Sequence, residues 1–129
     1  MTVEYQRRLE KHYDELKWLY CELYEGGIGS FEELCRIMER SKTHVHSTLH
    51  ICWGAQAALH YYYGLEKVLL PKKLFGLYTH KVLNRKEPLV RGFDDYFVAP
   101  HSRHTAIPRE DIAACEDLKI MAESEEAGV

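Results

Sequence analysis

Paired-cysteine motifs are missing from this chain: its four cysteines, Cys21, Cys35, Cys52 and Cys115, make no CxxC unit and no closely spaced framework. That pattern argues against structural zinc and against a disulfide scaffold. Clustered positive charge is missing too. The 17 Lys and Arg are spread along the chain and outnumbered by 20 Asp and Glu, for a net charge of −3. The electrostatic footprint of a nucleic-acid binder is therefore absent, and nucleic acid is not an expected partner. Met1 to Arg8 has no apolar core of the kind that directs export, so a cytoplasmic location is expected. From Thr43 to Leu65 there is no Asp, Glu, Lys or Arg, a run long enough to cross a bilayer. It carries His44, His46, His50, Gln56 and His60, however, and such groups are costly in lipid. Burial in a protein core is the expectation, with no membrane partner.

What remains is an ordinary globular composition, 46% hydrophobic and 29% charged over 129 residues. A chain of this length buries roughly two thirds of its unfolded surface. Leu9, Tyr13, Leu16, Tyr20 and Leu23 recur at helical spacing among charged residues, and Gly26, Gly27 and Gly29 end that helix. Ser30 with Glu33 reads as a capping box opening a second helix, with Phe31, Leu34, Cys35 and Met38 as its buried stripe. Val45 to Ile51 reads as a buried strand, and Trp53 to Tyr63 as an Ala-rich helix stopped by Gly64. In Lys73 to Leu83, Leu74, Gly76, Tyr78, His80 and Val82 alternate as in a strand with one covered face. Phe97 to Pro100 and Leu118 to Ala122 are further strands, separated by a loop over His101 to Pro108 and a short helix from Arg109 to Cys115. Strands alternating with helices give an α/β fold with a layered sheet.

The sharpest chemical signal is Cys52, placed where a strand is expected to run into a helix. A nucleophile elbow puts its reactive side chain at such a junction, strained and exposed. The backbone N–H of the next residue, here Trp53, then points where an oxyanion forms. A helix N-terminus also favours a thiolate. Gly54 leaves room beside the thiol, and Ala55, Ala57 and Ala58 allow close packing. By position alone a buried structural cysteine is an equally good reading, since free cysteines are among the most buried residues. His44, His46 and His50 share strand parity, but no carboxylate or cysteine stands at ligand spacing, so no metal is expected.

The segment HICWGAQAAL from His50 to Leu59 resembles the nucleophile segment of the homoserine O-succinyltransferase and O-acetyltransferase family, relatives of the class I glutamine amidotransferases. RGFDDYFVAPHSRH from Arg91 to His104 is similar to a second signature of that family, and PKKLFG from Pro71 and IMAESEEAG from Ile120 fall in register with it. The likeness covers about Phe31 to Val129. It implies a doubly wound sheet, present in part, and a chain divided into residues 1–29, which do not match, and residues 30–129, which do. It also implies an acyltransferase of methionine biosynthesis. In such an enzyme Cys52 takes the acyl group of succinyl-CoA or acetyl-CoA as a thioester and passes it to the hydroxyl of homoserine. Trp53 N–H would be the oxyanion donor, and Lys73 and Ser102 match substrate-binding positions. No bound cofactor is implied, and a homodimer is a candidate assembly.

Arg91, Asp94, Asp95, His101 and Arg103 are expected to fix the walls of the site. The family's general base, a histidine in a His-Pro-Glu-Tyr-like segment with its glutamate, falls downstream of the equivalent of Gly128, and the residues that choose the acyl chain fall in the unmatched start. This chain is accordingly expected to be a fragment, inactive by itself and prone to associate through exposed edges. The competing readings are an amidotransferase-like hydrolase and a non-catalytic interaction module.

Overall fold

The computed structural model describes residues 31–129. The helix expected at Leu9 to Leu23, the glycine break, the Ser30 cap and the division at residues 29 and 30 lie outside them. The chain forms two compact units, one ending at Gly64 and the other running from Leu65 to Val129.

In the first unit, α1 spans Phe31–His44. Glu32 and Glu33 in its first turn and Lys42 and His44 in its last match the helix dipole, and Met38 is buried while Phe31, Leu34 and Cys35 are half-buried. The second helix, α2, spans Trp53–Tyr63. Gly64 ends it in the left-handed conformation, φ 68°, and donates its N–H to the His60 carbonyl at 2.8 Å. The helices are tied by Tyr62, whose hydroxyl donates to the Met38 carbonyl at 3.0 Å and lies 3.3 Å from the Ser41 hydroxyl. Tyr61 donates to Glu39 at 2.6 Å. Ala57 and Ala58 are buried.

The strand expected at Val45 to Ile51 is not formed. The segment takes part in no ladder, and Leu49 and Ile51 are 83% and 72% exposed. A strand exists only by pairing its backbone, and among the described residues nothing pairs with this one. The apolar run therefore enters α2 as irregular chain.

The second unit is a three-stranded antiparallel sheet in the order β2-β1-β3, made of β1 (Val68–Val82), β2 (Tyr96–Ala106) and β3 (Ala122–Glu123). A doubly wound sheet is parallel and needs crossovers. Here residues 83–95, with a 3-10 turn at Pro88–Val90, return the chain directly alongside β1 as a long hairpin. Both principal strands exceed expectation. β1 begins five residues early, and its register shifts between Leu69 and Leu74, an irregular stretch where Pro71 has no N–H to offer the ladder. β2 continues through His101 to Ala106, which had read as a loop. β3 keeps only two residues of the strand expected at Leu118 to Ala122.

A short helix, α3 (Arg109–Ala114), buries Ile112, and Ile107, Val90 and Val82 are buried in the same unit. Arg85 pairs with Asp95 at 3.0 Å and Lys119 with Glu87 at 2.7 Å, tying down the 83–95 connection, and Arg109 pairs with Glu123. Among the described residues no helix is long and apolar enough to cross a membrane.

Candidate active site

Cys52 has φ 57° and ψ −126°, and it is the one non-glycine residue at positive φ among those described. For an L-residue with a Cβ this backbone is strained, and such strain gathers at functional turns. It arises because the chain must turn from the irregular 45–51 segment into α2 within one residue. The first helical turn closes at once: Gly54 N–H donates to the Ile51 carbonyl at 3.1 Å, Ala55 N–H to the Cys52 carbonyl at 3.0 Å, and Gln56 N–H to the same carbonyl at 3.4 Å. Cys52 is exposed, at the N-cap position of α2. The elbow thus has its turn and its helix without its strand. Trp53, the first residue of α2, follows immediately.

A Cβ built on Gly54 would meet nothing within 4 Å. Packing therefore does not demand glycine here, two residues after Cys52. Upstream, the His50 ring meets Tyr62 edge-on with centroids 6.1 Å apart, which connects the residue two before the elbow to the α1–α2 contact. The other described thiols differ in kind. Cys35 is half-buried, and burial first, then the Glu32 carboxylate, push its thiol above the ordinary range. Cys115 is half-buried at the end of α3.

Lys73 and Ser102 lie in the second unit, on β1 and β2. Phe75 faces Ser102 across the ladder, and directly paired residues share a face, so Ser102 lies with Phe75. Lys73, two residues from Phe75, shows the same parity, and its Nζ stands 5.5 Å from the Phe75 ring centroid. The sheet therefore brings these two residues to one open face, among the exposed Phe75, Leu77 and Val98. Ser102 is a strand residue and not the loop serine expected.

The opposite face holds Leu74, Gly76, Tyr78, His80 and Val82, the alternating set read from the sequence, against Phe97, Ala99, His101, Arg103 and Thr105. On it His80 and His101 touch through their Nε2 atoms at 3.0 Å. Sequence reasoning placed His80 in the strand and His101 in a loop, and so missed the pair. The parity of His80 with Tyr78 was the available signal, but it needed β2 to extend past Pro100. Arg103 donates to the Ala127 carbonyl, holding the turn closed by the Ser124 and Gly128 backbone bonds. Asp94, Asp95 and Arg91 are exposed in the 83–95 connection, where Asp95 pairs with Arg85 at the surface. Among the described residues no group of three or more His, Cys, Asp or Glu is placed to hold a metal ion.

A family model described as homoserine O-succinyltransferase matches residues 26–129. Over 102 residues the chain is 66% identical to a homoserine O-acetyltransferase of Lachnoclostridium phytofermentans, covering 79% of this chain and 34% of that relative. It is 64% identical to a homoserine O-acetyltransferase of Agathobacter rectalis, covering 79% and 33%, and 57% identical to one of Bacillus subtilis, covering 79% and 34%. The chain thus spans about a third of the length of the curated relatives it matches. On the family match and these identities together, the chain belongs to the homoserine O-succinyltransferase family.

Proposed function

We propose that this chain carries the nucleophile and part of the substrate face of a homoserine O-acyltransferase of methionine biosynthesis, with acyl-CoA as donor and homoserine as acceptor. The observation that carries this reading is the exposed Cys52, held at φ 57° at the head of α2 with open space beside Gly54. The family membership supports the reaction class. The names of the relatives, all homoserine O-acetyltransferases, favour acetyl-CoA over succinyl-CoA.

In the first step the Cys52 thiolate attacks the thioester carbonyl of acyl-CoA. The C–S bond to coenzyme A breaks, and coenzyme A leaves as a thiolate that takes up a proton. Trp53 N–H, at the N-terminus of α2, stabilises the tetrahedral oxyanion. In the second step the homoserine hydroxyl attacks the acyl-Cys52 carbonyl, loses its proton to a general base, and expels the Cys52 thiolate. The resemblance assigns that base to a histidine, with a glutamate, in a segment downstream of the matched residues. Lys73 and Ser102 bind homoserine, the lysine through the carboxylate and the serine hydroxyl through a polar group. For the whole protein we propose a doubly wound sheet of the class I glutamine amidotransferase-like type, to which the elbow and the hairpin described here contribute.

The test is steady-state kinetics on a full-length protein carrying this segment. Cys52→Ser should lose acyl transfer, and Ser102→Ala should raise KM for homoserine more than it lowers kcat. Transfer that survives Cys52→Ser, or glutamine hydrolysis in place of homoserine acylation, would overturn the reading.

A further inference from the structure

The covered face of the β1–β2 hairpin carries a contact that the acyl-transfer chemistry does not use. His80 is buried, and its Nδ1 lies 3.0 Å from the Tyr78 carbonyl oxygen. A carbonyl only accepts, so Nδ1 carries the hydrogen, and the Nε2 of neutral His80 is an acceptor. His101 Nε2 lies 3.0 Å from that atom, and it must therefore donate. The ring planes are 4° apart with centroids 4.9 Å apart. With the two nitrogens closer than the centroids, the rings meet end to end along an N–H···N bond rather than face to face.

The neighbours explain why the rings can meet. Gly76 faces His101 across the ladder, and with no side chain there the Tyr78 ring lies over it, where a Cβ would meet that ring at 3.6 Å, while Ala99 faces Tyr78 on the rung between. Phe97 stacks on His80 at 5.3 Å, and Tyr78 meets His101 edge-on at 5.5 Å, which fixes both ring orientations. His101 directly precedes Ser102, and alternation turns the two side chains to opposite faces.

We propose that His80 and His101 form a one-proton clasp that positions Ser102 for homoserine, by holding the backbone of β2 one residue before it. This rests on Ser102 being a substrate residue. The clasp has a definite protonation logic. A first extra proton on His101 Nδ1 preserves the N–H···N bond, whereas a second, on His80 Nε2, sets two N–H groups against each other. Burial, then the Arg103 guanidinium and His80, hold the His101 imidazole below its ordinary range and so oppose even the first.

The test is 1H–15N NMR of this chain uniformly labelled with 15N, with long-range spectra of the histidine rings from pH 8 to 5 and homoserine titrated against the Ser102 amide signal. The expected result is His80 in the Nδ1–H form, His101 in the Nε2–H form, and one proton taken up by the two rings together. His80→Phe keeps the stacking on Phe97 but removes the acceptor, and should weaken homoserine binding about tenfold, the worth of one net hydrogen bond. His80→Gln retains an acceptor and should stay within about twofold on the same scale. An Nδ1–H form at His101, independent uptake of two protons, or a His80→Phe chain that binds homoserine as tightly as wild type would overturn the clasp. If Ser102→Ala leaves homoserine binding unchanged while the tautomers are as expected, the error lies in assigning Ser102 to the substrate.

Discussion

Replacing Cys52 by glycine is expected to stabilise the fold while removing the nucleophile. An L-residue held at φ 57°, ψ −126° stores on the order of 1–3 kcal/mol that glycine does not. Against this, glycine gains about 0.4–1 kcal/mol of freedom in the unfolded chain. As an N-cap it is a fair residue, better than alanine. Cys52 is exposed, so its removal forfeits little packing. The net is a stabilisation of about 0.5–2 kcal/mol relative to Cys52→Ala, which keeps the Cβ and hence the strain. With a urea slope of about 2 kcal/mol/M, the midpoint followed by far-UV circular dichroism should rise by roughly 0.3–1 M. A glycine variant no more stable than the alanine variant would show that the turn carries no strain, and the elbow would lose its physical basis.

Three further outcomes follow from the same geometry. Gly54→Ala enters open space in a helix, so it should stabilise the chain by up to about 1 kcal/mol, yet lower acyl transfer in a full-length protein if the space beside Cys52 receives the acyl group; unfolding and rate measured on one variant separate the two effects. In a pH series of iodoacetamide labelling read by peptide mass, Cys35 should require more alkaline conditions than an ordinary thiol and should react after the exposed Cys52, and prior labelling at Cys35 would contradict the burial described. His101 is held below its ordinary value, 6.5, so the unfolded chain binds its proton more readily. Its contribution to stability is complete above that pH and is lost as pH falls toward the lowered value, which urea midpoints in wild type and His101→Gln should register as a steeper acid loss in wild type.

Where the sequence was readable, a local pattern and a physical constraint coincided. The bounds of α2 follow from an Ala-rich stretch closed by Gly64, whose left-handed conformation leaves little choice of residue. The covered face of β1 follows from the alternation of Leu74 to Val82. The misreadings share one cause, since pairing is not written in a single segment. Val45 to Ile51 has the composition of a strand but no described backbone to pair with. The second half of β2 turns the half-buried His101 and Arg103 and the buried Thr105 inward at alternate positions, a period that hydrophobicity cannot reveal because the inward residues are polar. The antiparallel hairpin was likewise invisible, because nothing in the long 83–95 connection marks a tight turn between the two strands. At the site, Cys52 was legible through its neighbours. The common face of Lys73 and Ser102 was not, since it depends on the register that sets Ser102 opposite Phe75.

The most direct measurement is intact-mass spectrometry, after rapid quenching, of a full-length protein carrying this segment and mixed with acetyl-CoA in the absence of homoserine. The account predicts a single acetyl group, mapped by peptide analysis to Cys52 and discharged when homoserine is added. Acetyl-homoserine formed with no adduct on Cys52, or an adduct at another residue that homoserine discharges, would contradict it.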